Sequence, residues 1–229
     1  MRVRVATTAL GITAALLVLP ACSPDTTGAQ HPATEQAATP SDRTQETSVL
    51  SSAALTSRLI DQSDLGSGYL AEPQHPAQRD DVTVLGCPAL SELGGNAATG
   101  GTLAFPYKAK AAFTYGGSSS EIAEELYSDS AKKLSDGIAR IFAAMTGCPT
   151  YQVISGGTPV DVASQKLAAP NTVGEQQWSQ LLTFTSAGRS SVVKQTAIRS
   201  GNLLVIVSGS PALVDRHLGK AVAKAMATS

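Results

Sequence analysis

Hydrophobic and polar positions alternate over most of the last third of the chain, which is typical of half-buried strands. Five segments show this alternation or a short apolar run: Tyr151–Ser155, Val160–Leu167, Glu175–Thr185, Ser191–Arg199 and Asn202–Ser208. Only Ser200 and Gly201 separate the last two segments, and such a short connection is typical of a tight hairpin. This succession of strands predicts a largely antiparallel sheet.

Apolar residues at helical spacing predict three longer helices. The first covers about Ser52–Gln62, the second about Ser120–Thr146, and the third Pro211–Ala227. The apolar stripe of the second helix thins at Asp129-Ser130, and a kink or break there is the alternative. We expect Gly147 to end the second helix, directly before Cys148. The shorter predicted elements are a strand at Val82–Leu85, a helix at Pro88–Leu93, and one or two strands, interrupted near Pro106, at Thr102–Tyr115. Helices at either end of a run of strands predict an α+β fold in which helices flank the sheet.

The N-terminal 22 residues have the pattern of a bacterial lipoprotein signal peptide. Two arginines precede the apolar run Val5–Leu19, which is too short to span a membrane because a spanning helix needs about 20 apolar residues. The run ends in Leu19-Pro20-Ala21-Cys22, which has the form of a lipobox. We expect removal of residues 1–21 and lipid attachment, including palmitate, at Cys22. Plain secretion with cleavage near Ala21 is the alternative.

A polar segment follows Cys22 and contains no large apolar residue before Val49. Such a segment cannot bury enough apolar surface to offset the entropy lost on ordering. We therefore expect residues 22–50 to be a disordered tether and residues 51–229 to form a single α+β domain. The lipid would hold this domain at the extracytoplasmic face of the cell membrane.

The two remaining cysteines are Cys87 and Cys148. In an oxidising compartment their expected state is a disulfide, and two separate buried thiols are the alternative. A redox-active pair would usually have the closer spacing C-x-x-C. No metal site is expected, because none of the three histidines is near a cysteine in the sequence. These histidines are His31, His75 and His217.

Composition excludes one class of partner and offers little catalytic chemistry. The chain has 17 basic and 18 acidic side chains, a net charge of −1, and no basic run, so nucleic-acid binding is not expected. The local signatures of serine hydrolases, P-loop proteins, zinc proteases and dinucleotide-binding proteins are missing. We expect no catalytic residue and no cofactor. The single tryptophan, Trp178, is predicted to fill the core, and lining a pocket is the alternative.

Four charged or titratable sites have predicted structural roles. The adjacent pairs Asp80-Asp81 and Glu124-Glu125 are predicted to be solvated surface, because neighbouring side chains point in different directions. Arg199 stands beside the hairpin and is predicted to be exposed. His217, in the last helix, is predicted to lie in a packing interface rather than to bind a ligand.

The order of several features resembles a known family. They are the lipobox, the polar tether, Asp64-Leu65-Gly66-Ser67-Gly68-Tyr69 after the first helix, Gly86-Cys87-Pro88, the helix ending at Cys148, and the final strand–helix unit. The chain resembles, over residues 51–229, actinobacterial sensor-like lipoproteins related to the PknH-type extracellular domain of mycobacterial serine/threonine kinases. This resemblance implies an antiparallel sheet flanked by helices, a helix-pinning disulfide that Cys87 and Cys148 match, and a ligand-binding cleft. Family members often have a second disulfide, for which this chain has no cysteines.

These observations favour a membrane-anchored, non-catalytic sensor-like domain that binds an unidentified small-molecule or envelope ligand. The sequence assigns no ligand-binding residues to this domain, and signalling would require a membrane protein partner. A carrier or chaperone for lipids or cell-wall precursors is one alternative, and it would show a continuous apolar pocket. An envelope enzyme is another, and it would show a convergent cluster of titratable groups with perturbed pKa values.

Overall fold

The computed structural model describes residues 48–73, 82–94, 103–117, 119–169 and 174–227. Several predictions concern residues outside these ranges and stay predictions. They are the signal peptide, lipid attachment at Cys22, most of the tether, and the statements about His31, His75 and Asp80-Asp81.

Five helices and nine strands lie within the described residues. The helices are α1 (Ser52–Thr56), α2 (Gln62–Leu65), α3 (Pro88–Leu93), α4 (Ala131–Gly147) and α5 (Pro211–Met226). The first four strands are β1 (Tyr69–Ala71), β2 (Thr83–Leu85), β3 (Tyr107–Tyr115) and β4 (Ser120–Ser128). The remaining strands are β5 (Thr150–Ser155), β6 (Thr158–Lys166), β7 (Gln176–Ser186), β8 (Arg189–Ser200) and β9 (Leu203–Gly209).

All nine strands form one antiparallel sheet in the order β1-β3-β4-β9-β8-β7-β6-β5-β2. The predicted α+β class with a largely antiparallel sheet is therefore confirmed. Strand β9 lies between β4 and β8, and its run Leu203–Val207 is buried throughout. A strand with neighbours on both edges and helices on both faces needs apolar side chains at every position, which explains this run.

One side of the sheet, here called the α5 face, is covered by α1, α2 and α5. Leu55 from α1, Leu65 from α2 and Leu218 from α5 belong to one buried cluster with Ile122 of β4 and Val205 of β9. The alternation of side chains along each strand sends every second residue into this cluster. It is the largest group of buried apolar side chains in the described part of the chain.

The other side, here called the α4 face, is covered in part by α3 and α4. Leu134 and Ile138 of α4 pack on Tyr127 of β4 and Leu204 of β9. Nearer its C-terminal end, α4 contributes Met145 to a second cluster that also contains α3 and β5 to β7. Because α4 lies over only part of this face, the remainder is open to solvent at the strand ends farthest from the helix.

The predicted helix from Ser120 to Thr146 is wrong over its first nine residues, which form β4. Ile122 and Leu126 fit both patterns, because a spacing of four residues is also even and keeps two side chains on the same face of a strand. Pairing with β3 and β9 provides the burial that decides between the two structures. The helix begins only after Ser130, whose Oγ accepts a hydrogen bond from the backbone N–H of Lys133.

The predicted opening helix Ser52–Gln62 is divided into α1 and α2. Asp61 interrupts it by capping α2, since its carboxylate accepts hydrogen bonds from the backbone N–H groups of Ser63 and Asp64. An aspartate at this position satisfies N–H groups that have no partner inside a helix. The chain therefore turns between the two short helices and stays close to β4.

The predicted disulfide between Cys87 and Cys148 is confirmed, with Cα atoms 5.8 Å apart. Cys87 stands immediately before α3 and Cys148 immediately after α4. The bond therefore fixes the C-terminal end of α4 beside α3. Among the helices of the described ranges, none combines the length and the apolar character needed to span a bilayer.

Candidate functional site: a polar cleft on the α4 face

A cleft of about 370 Å³ lies on the part of the α4 face that α4 leaves open. The cleft is lined by residues of strands β3, β4, β9, β8 and β7 and by Glu72, which follows β1. Six polar side chains line this polar cleft: Glu72, Lys110, Glu121, Ser191, Gln195 and Ser208.

The floor of the cleft is recessed because small side chains occupy neighbouring positions on three adjacent strands. Ala112 of β3 pairs with Ala123 of β4, and Ala123 pairs with Ser208 of β9. The next residue in this row is Gln195 of β8. Three short side chains followed by a longer amide leave a depression with a hydrogen-bonding group at one side.

Gln195 is the feature of the floor most suited to ligand binding. It is 7 % exposed, and its Oε1 accepts a hydrogen bond of 2.9 Å from Nε2 of Gln180, which is 0 % exposed. No described residue accepts a hydrogen bond from Nε2 of Gln195, and Oε1 of Gln180 is buried without a partner. If the side-chain amide N and O atoms of both glutamines were exchanged, one polar atom of Gln180 would still lack a hydrogen-bond partner. Buried polar atoms normally have partners, so this amide pair has spare hydrogen-bonding capacity next to the cleft.

A chain of hydrogen bonds connects the cleft to the interior. Lys110 Nζ lies 2.8 Å from Oε1 of Glu125, whose other oxygen accepts a hydrogen bond from the Tyr127 hydroxyl. The backbone N–H of Leu103 donates to the same hydroxyl at 3.0 Å. Burial, followed by the negative charge of Glu125, raises the pKa of Tyr127 well above its usual value. The phenol therefore stays protonated and acts as a hydrogen-bond donor.

The charges around the cleft are of both signs. Lys110 is 44 % exposed at its side chain, whereas its partner Glu125 is almost wholly buried. Glu72 and Glu121 form no ion pair with a described residue. Groups of this kind can bind hydroxyl, amide and charged groups of a ligand. Within the described ranges, no group of three or more metal-ligating side chains could hold a metal ion.

The other titratable groups singled out from the sequence lie outside this cleft. His217 is buried where α5 meets β1, with Nε2 2.6 Å from the Tyr69 hydroxyl, so its predicted place in a packing interface is confirmed. Burial, with help from the nearby charges of Arg216 and Lys220, lowers the pKa of His217. The pair Tyr69 and His217 belongs to the α5 face and does not line the polar cleft.

The prediction that Glu124 and Glu125 are solvated surface is wrong, since they are 0 % and 4 % exposed. Neighbouring strand residues do point to opposite faces, but both faces of β4 are covered there. Glu124 faces α1 and α2, and its Oε2 accepts a hydrogen bond of 2.6 Å from the backbone N–H of Ile60. Burial raises the pKa of Glu124 to about 8. It ties the turn between α1 and α2 to the sheet.

The prediction that Arg199 is exposed is also wrong, since it is only 7 % exposed. Its guanidinium donates to the carbonyl oxygen of Gly201 at 2.9 Å and to the carboxylate of Glu175 at 2.7 Å. These bonds hold the β8–β9 hairpin against the start of β7. Trp178 is partly buried beside Phe142 of α4, with ring centroids 6.1 Å apart, and therefore contributes to the core as predicted while keeping an open side.

Comparison with known proteins shows the fold. Neither a protein-family model nor a curated protein matches the sequence. The extracellular domain of PknH from Mycobacterium tuberculosis matches with a TM-score of 0.58 and 12% sequence identity, over 78% of this chain and 97% of that domain. An uncharacterised protein from Mycobacterium smegmatis, the Rv0999 ortholog, matches with a TM-score of 0.42 and 12% identity, over 72% of this chain and 93% of that one. The described chain therefore has a fold like that of the PknH extracellular domain.

Proposed function

We propose that this chain is a non-catalytic, extracytoplasmic binding domain of the sensor type, which holds a polar small molecule in the polar cleft and is tethered to the membrane by lipid on Cys22. The observation that carries the proposal is Gln195, which lines the floor of a solvent-accessible cleft and whose Oε1 is bonded to Gln180, leaving its Nε2 as a donor for a ligand. A ligand with a hydroxyl or carbonyl oxygen would accept a hydrogen bond from this group.

Four further observations support this function. The cleft contains charged and polar groups but no histidine or cysteine, and His217 lies on the other face of the sheet. The fold is similar to that of a domain described as extracellular. The lipobox pattern at Leu19–Cys22 supplies a tether, and a disulfide between Cys87 and Cys148 suits an oxidising compartment. The domain would need a membrane protein partner to pass a signal across the membrane.

Ligand binding can be tested by native mass spectrometry. The exported chain carrying Cys22→Ala would be mixed with the water-soluble, low-mass fraction of the cell envelope, and we expect a bound molecule of defined mass. The variant Gln195→Leu should lose it, because leucine has a similar size but cannot form hydrogen bonds. The matched control Gln165→Leu changes an exposed glutamine of β6 outside the cleft and should bind as wild type does. Equal binding by Gln195→Leu, with its fold retained, would contradict the site.

The anchor can be tested separately. The wild-type chain should be found in the membrane fraction and should label with a radioactive or alkyne-bearing fatty acid. Cys22→Ala should remove the label and release the chain, because the lipid is the proposed attachment. Retention of the unlabelled variant in the membrane would contradict the anchor while leaving the binding proposal untouched.

A further inference from the structure

A second cavity on the α4 face differs in chemistry from the polar cleft. It has a volume of about 630 Å³ and lies between α4 and the ends of β6 and β7 that point away from the polar cleft. The two cavities have no lining residue in common. Phe142 and Trp178 form its aromatic wall, with ring centroids 6.1 Å apart. We call it the aromatic groove.

The groove is open because α4 presents small residues towards it. Ala139, Ala143 and Gly147 follow one another at intervals of four residues, which places them along one face of the helix. A Cβ atom added at Gly147 would meet nothing within 4 Å. Thr146 also lines the groove, but its hydroxyl is already bonded to the backbone carbonyl of Phe142 at 2.6 Å. The helix side of the groove is therefore mainly apolar.

The charge at the groove has one sign. Lys166, at the end of β6, is the charged side chain among the described lining residues, and no carboxylate lines the groove with it. Lys166 is exposed and forms no ion pair with a described residue. Gln177 and Ser179 of β7 also line the groove, opposite the aromatic and small side chains. A groove with an aromatic wall and one ammonium group at its edge is complementary to a molecule that has an apolar body and an anionic group.

We propose that the aromatic groove binds amphipathic carboxylates. The apolar body of such a molecule lies against Trp178 and Phe142, and its carboxylate accepts a hydrogen bond from the Lys166 ammonium. A volume of about 630 Å³ lies within the range of about 300–1,000 Å³ that is typical of small-molecule sites. This site is additional to the polar cleft, so either one can fail without the other.

Trp178 is the only tryptophan of the chain and therefore reports on this groove directly. Titration of the exported Cys22→Ala chain with octanoate should change Trp178 fluorescence in a saturable way. The neutral analogue octan-1-ol should bind more weakly. Lys166→Gln should weaken octanoate binding about fivefold or more and leave octan-1-ol unchanged, because only the carboxylate forms the charge-assisted hydrogen bond. The matched control Lys108→Gln removes an exposed lysine of β3 and should have no effect.

Two groove-filling variants test the location. Ala143→Leu should weaken the binding of both octanoate and octan-1-ol about tenfold or more, because leucine occupies the space between α4 and Trp178. Ala131→Leu, at an exposed position in the first turn of the same helix, should bind as wild type does. If Ala143→Leu fails to fold by circular dichroism, Gly147→Ala places a smaller obstacle in the same groove. The proposal is overturned if Trp178 fluorescence does not respond to octanoate, if Lys166→Gln binds octanoate normally, or if folded groove-filling variants bind as wild type does.

Discussion

The polar cleft and the aromatic groove lie on the same face of the same sheet, yet they are built in opposite ways. The floor of the cleft consists of paired strands, where Ala112, Ala123 and Ser208 are held in register and a buried amide is the principal polar group. The groove lies between one helix and two strand ends, and its walls are aromatic. Where α4 lies over the sheet, the cavity between them is aromatic, and where α4 leaves the sheet open, the cleft is polar.

The polar cleft and the aromatic groove also differ in the interactions that maintain their shape. The cleft depends on backbone pairing across β3, β4, β9 and β8, which is distributed over many hydrogen bonds. The groove depends on the C-terminal end of α4, which the disulfide at Cys148 attaches to the segment before α3. Changes to the disulfide should therefore affect the groove first, and changes to strand contacts should affect the cleft first.

The largest expected effect comes from removal of the disulfide. The double variant Cys87→Ala/Cys148→Ala should lower the free energy of unfolding by about 4 kcal/mol, because the bond closes a loop across a sequence separation of 61 residues. Urea denaturation measures this change. Hydrogen exchange should accelerate at Met145 and Thr146 more than at Ala123 or Val207. Equal acceleration in both regions would show that the bond supports the whole domain rather than the end of α4.

The next effect comes from a matched pair of glycine substitutions. Gly209 has φ +141, and a Cβ there would lie 2.2 Å from the carbonyl oxygen of Glu121. Gly209→Ala should therefore destabilise the domain by about 3 kcal/mol and distort the polar cleft, which Gly209 lines. Gly147→Ala should change the stability by less than about 1 kcal/mol, because the helix favours alanine and the space is open. Thermal and urea unfolding compare the two, and similar losses would contradict the difference in packing.

A smaller effect is expected at the buried hydrogen-bond chain beneath the cleft. Tyr127→Phe removes the donor to Glu125 and the acceptor for the Leu103 N–H. Loss of these bonds should cost about 2 kcal/mol, because the buried Leu103 N–H and one carboxylate oxygen of Glu125 lose their partner, while Lys110 still binds the other oxygen. Tyr151→Phe is the matched control, because Tyr151 is a buried tyrosine of β5 that takes no part in the hydrogen bonds between Lys110, Glu125, Tyr127 and Leu103. Urea denaturation measures the free energy of unfolding of both variants. If Tyr127→Phe lowers it no more than the control does, these hydrogen bonds do not support the cleft.

A change of pH dependence, rather than a loss of stability at one pH, is expected on the opposite face. The pKa of Glu124 is raised to about 8 from 4.5 in the folded state, so the folded protein retains a proton that the unfolded chain loses between these values. The contribution of Glu124 to stability is therefore full below about pH 4.5 and declines as the pH rises to about 8. Glu124→Gln should remove this decline while leaving both cavities unchanged.

The measurement is the free energy of unfolding at several pH values between 5 and 8. His217 contributes an opposite trend, because its pKa is lowered by burial and folding favours its neutral form as the pH rises. The comparison of wild type with Glu124→Gln isolates the glutamate, since His217 is present in both. Parallel curves for the two proteins would show that Glu124 has an ordinary pKa.

Some elements could be predicted from the sequence because their residue pattern fits one type of structure much better than any other. The run Leu203–Val207 is apolar at consecutive positions, and only a strand covered on both faces accommodates it. Pro211 after Ser210 indicated the start of α5 correctly. The pairing of Cys87 with Cys148 followed from the assignment of the third cysteine to a lipid site.

Other features depend on contacts that a single sequence does not reveal. Residues 120–128 carry apolar spacing that suits a helix and a strand equally, and pairing with β3 and β9 decides the outcome. The burial of Glu124 and Glu125 follows from the same pairing. The polar cleft was not predicted at residue level, because Gln195, Ala123 and the other lining residues are brought together only by the strand order. The local signals for the aromatic groove are the small residues of α4 at intervals of four and the single tryptophan, Trp178.

The central claim is that the polar cleft is the place where this domain binds a polar molecule. Its most direct test is a map of backbone amide chemical shifts by NMR, recorded before and after addition of the water-soluble, low-mass envelope fraction. The claim predicts saturable shifts at Ala123, Gln195 and Ser208, with no shift at Ala143. Shifts confined to the α5 face or to the aromatic groove, or no saturable shift at all in the cleft, would contradict it.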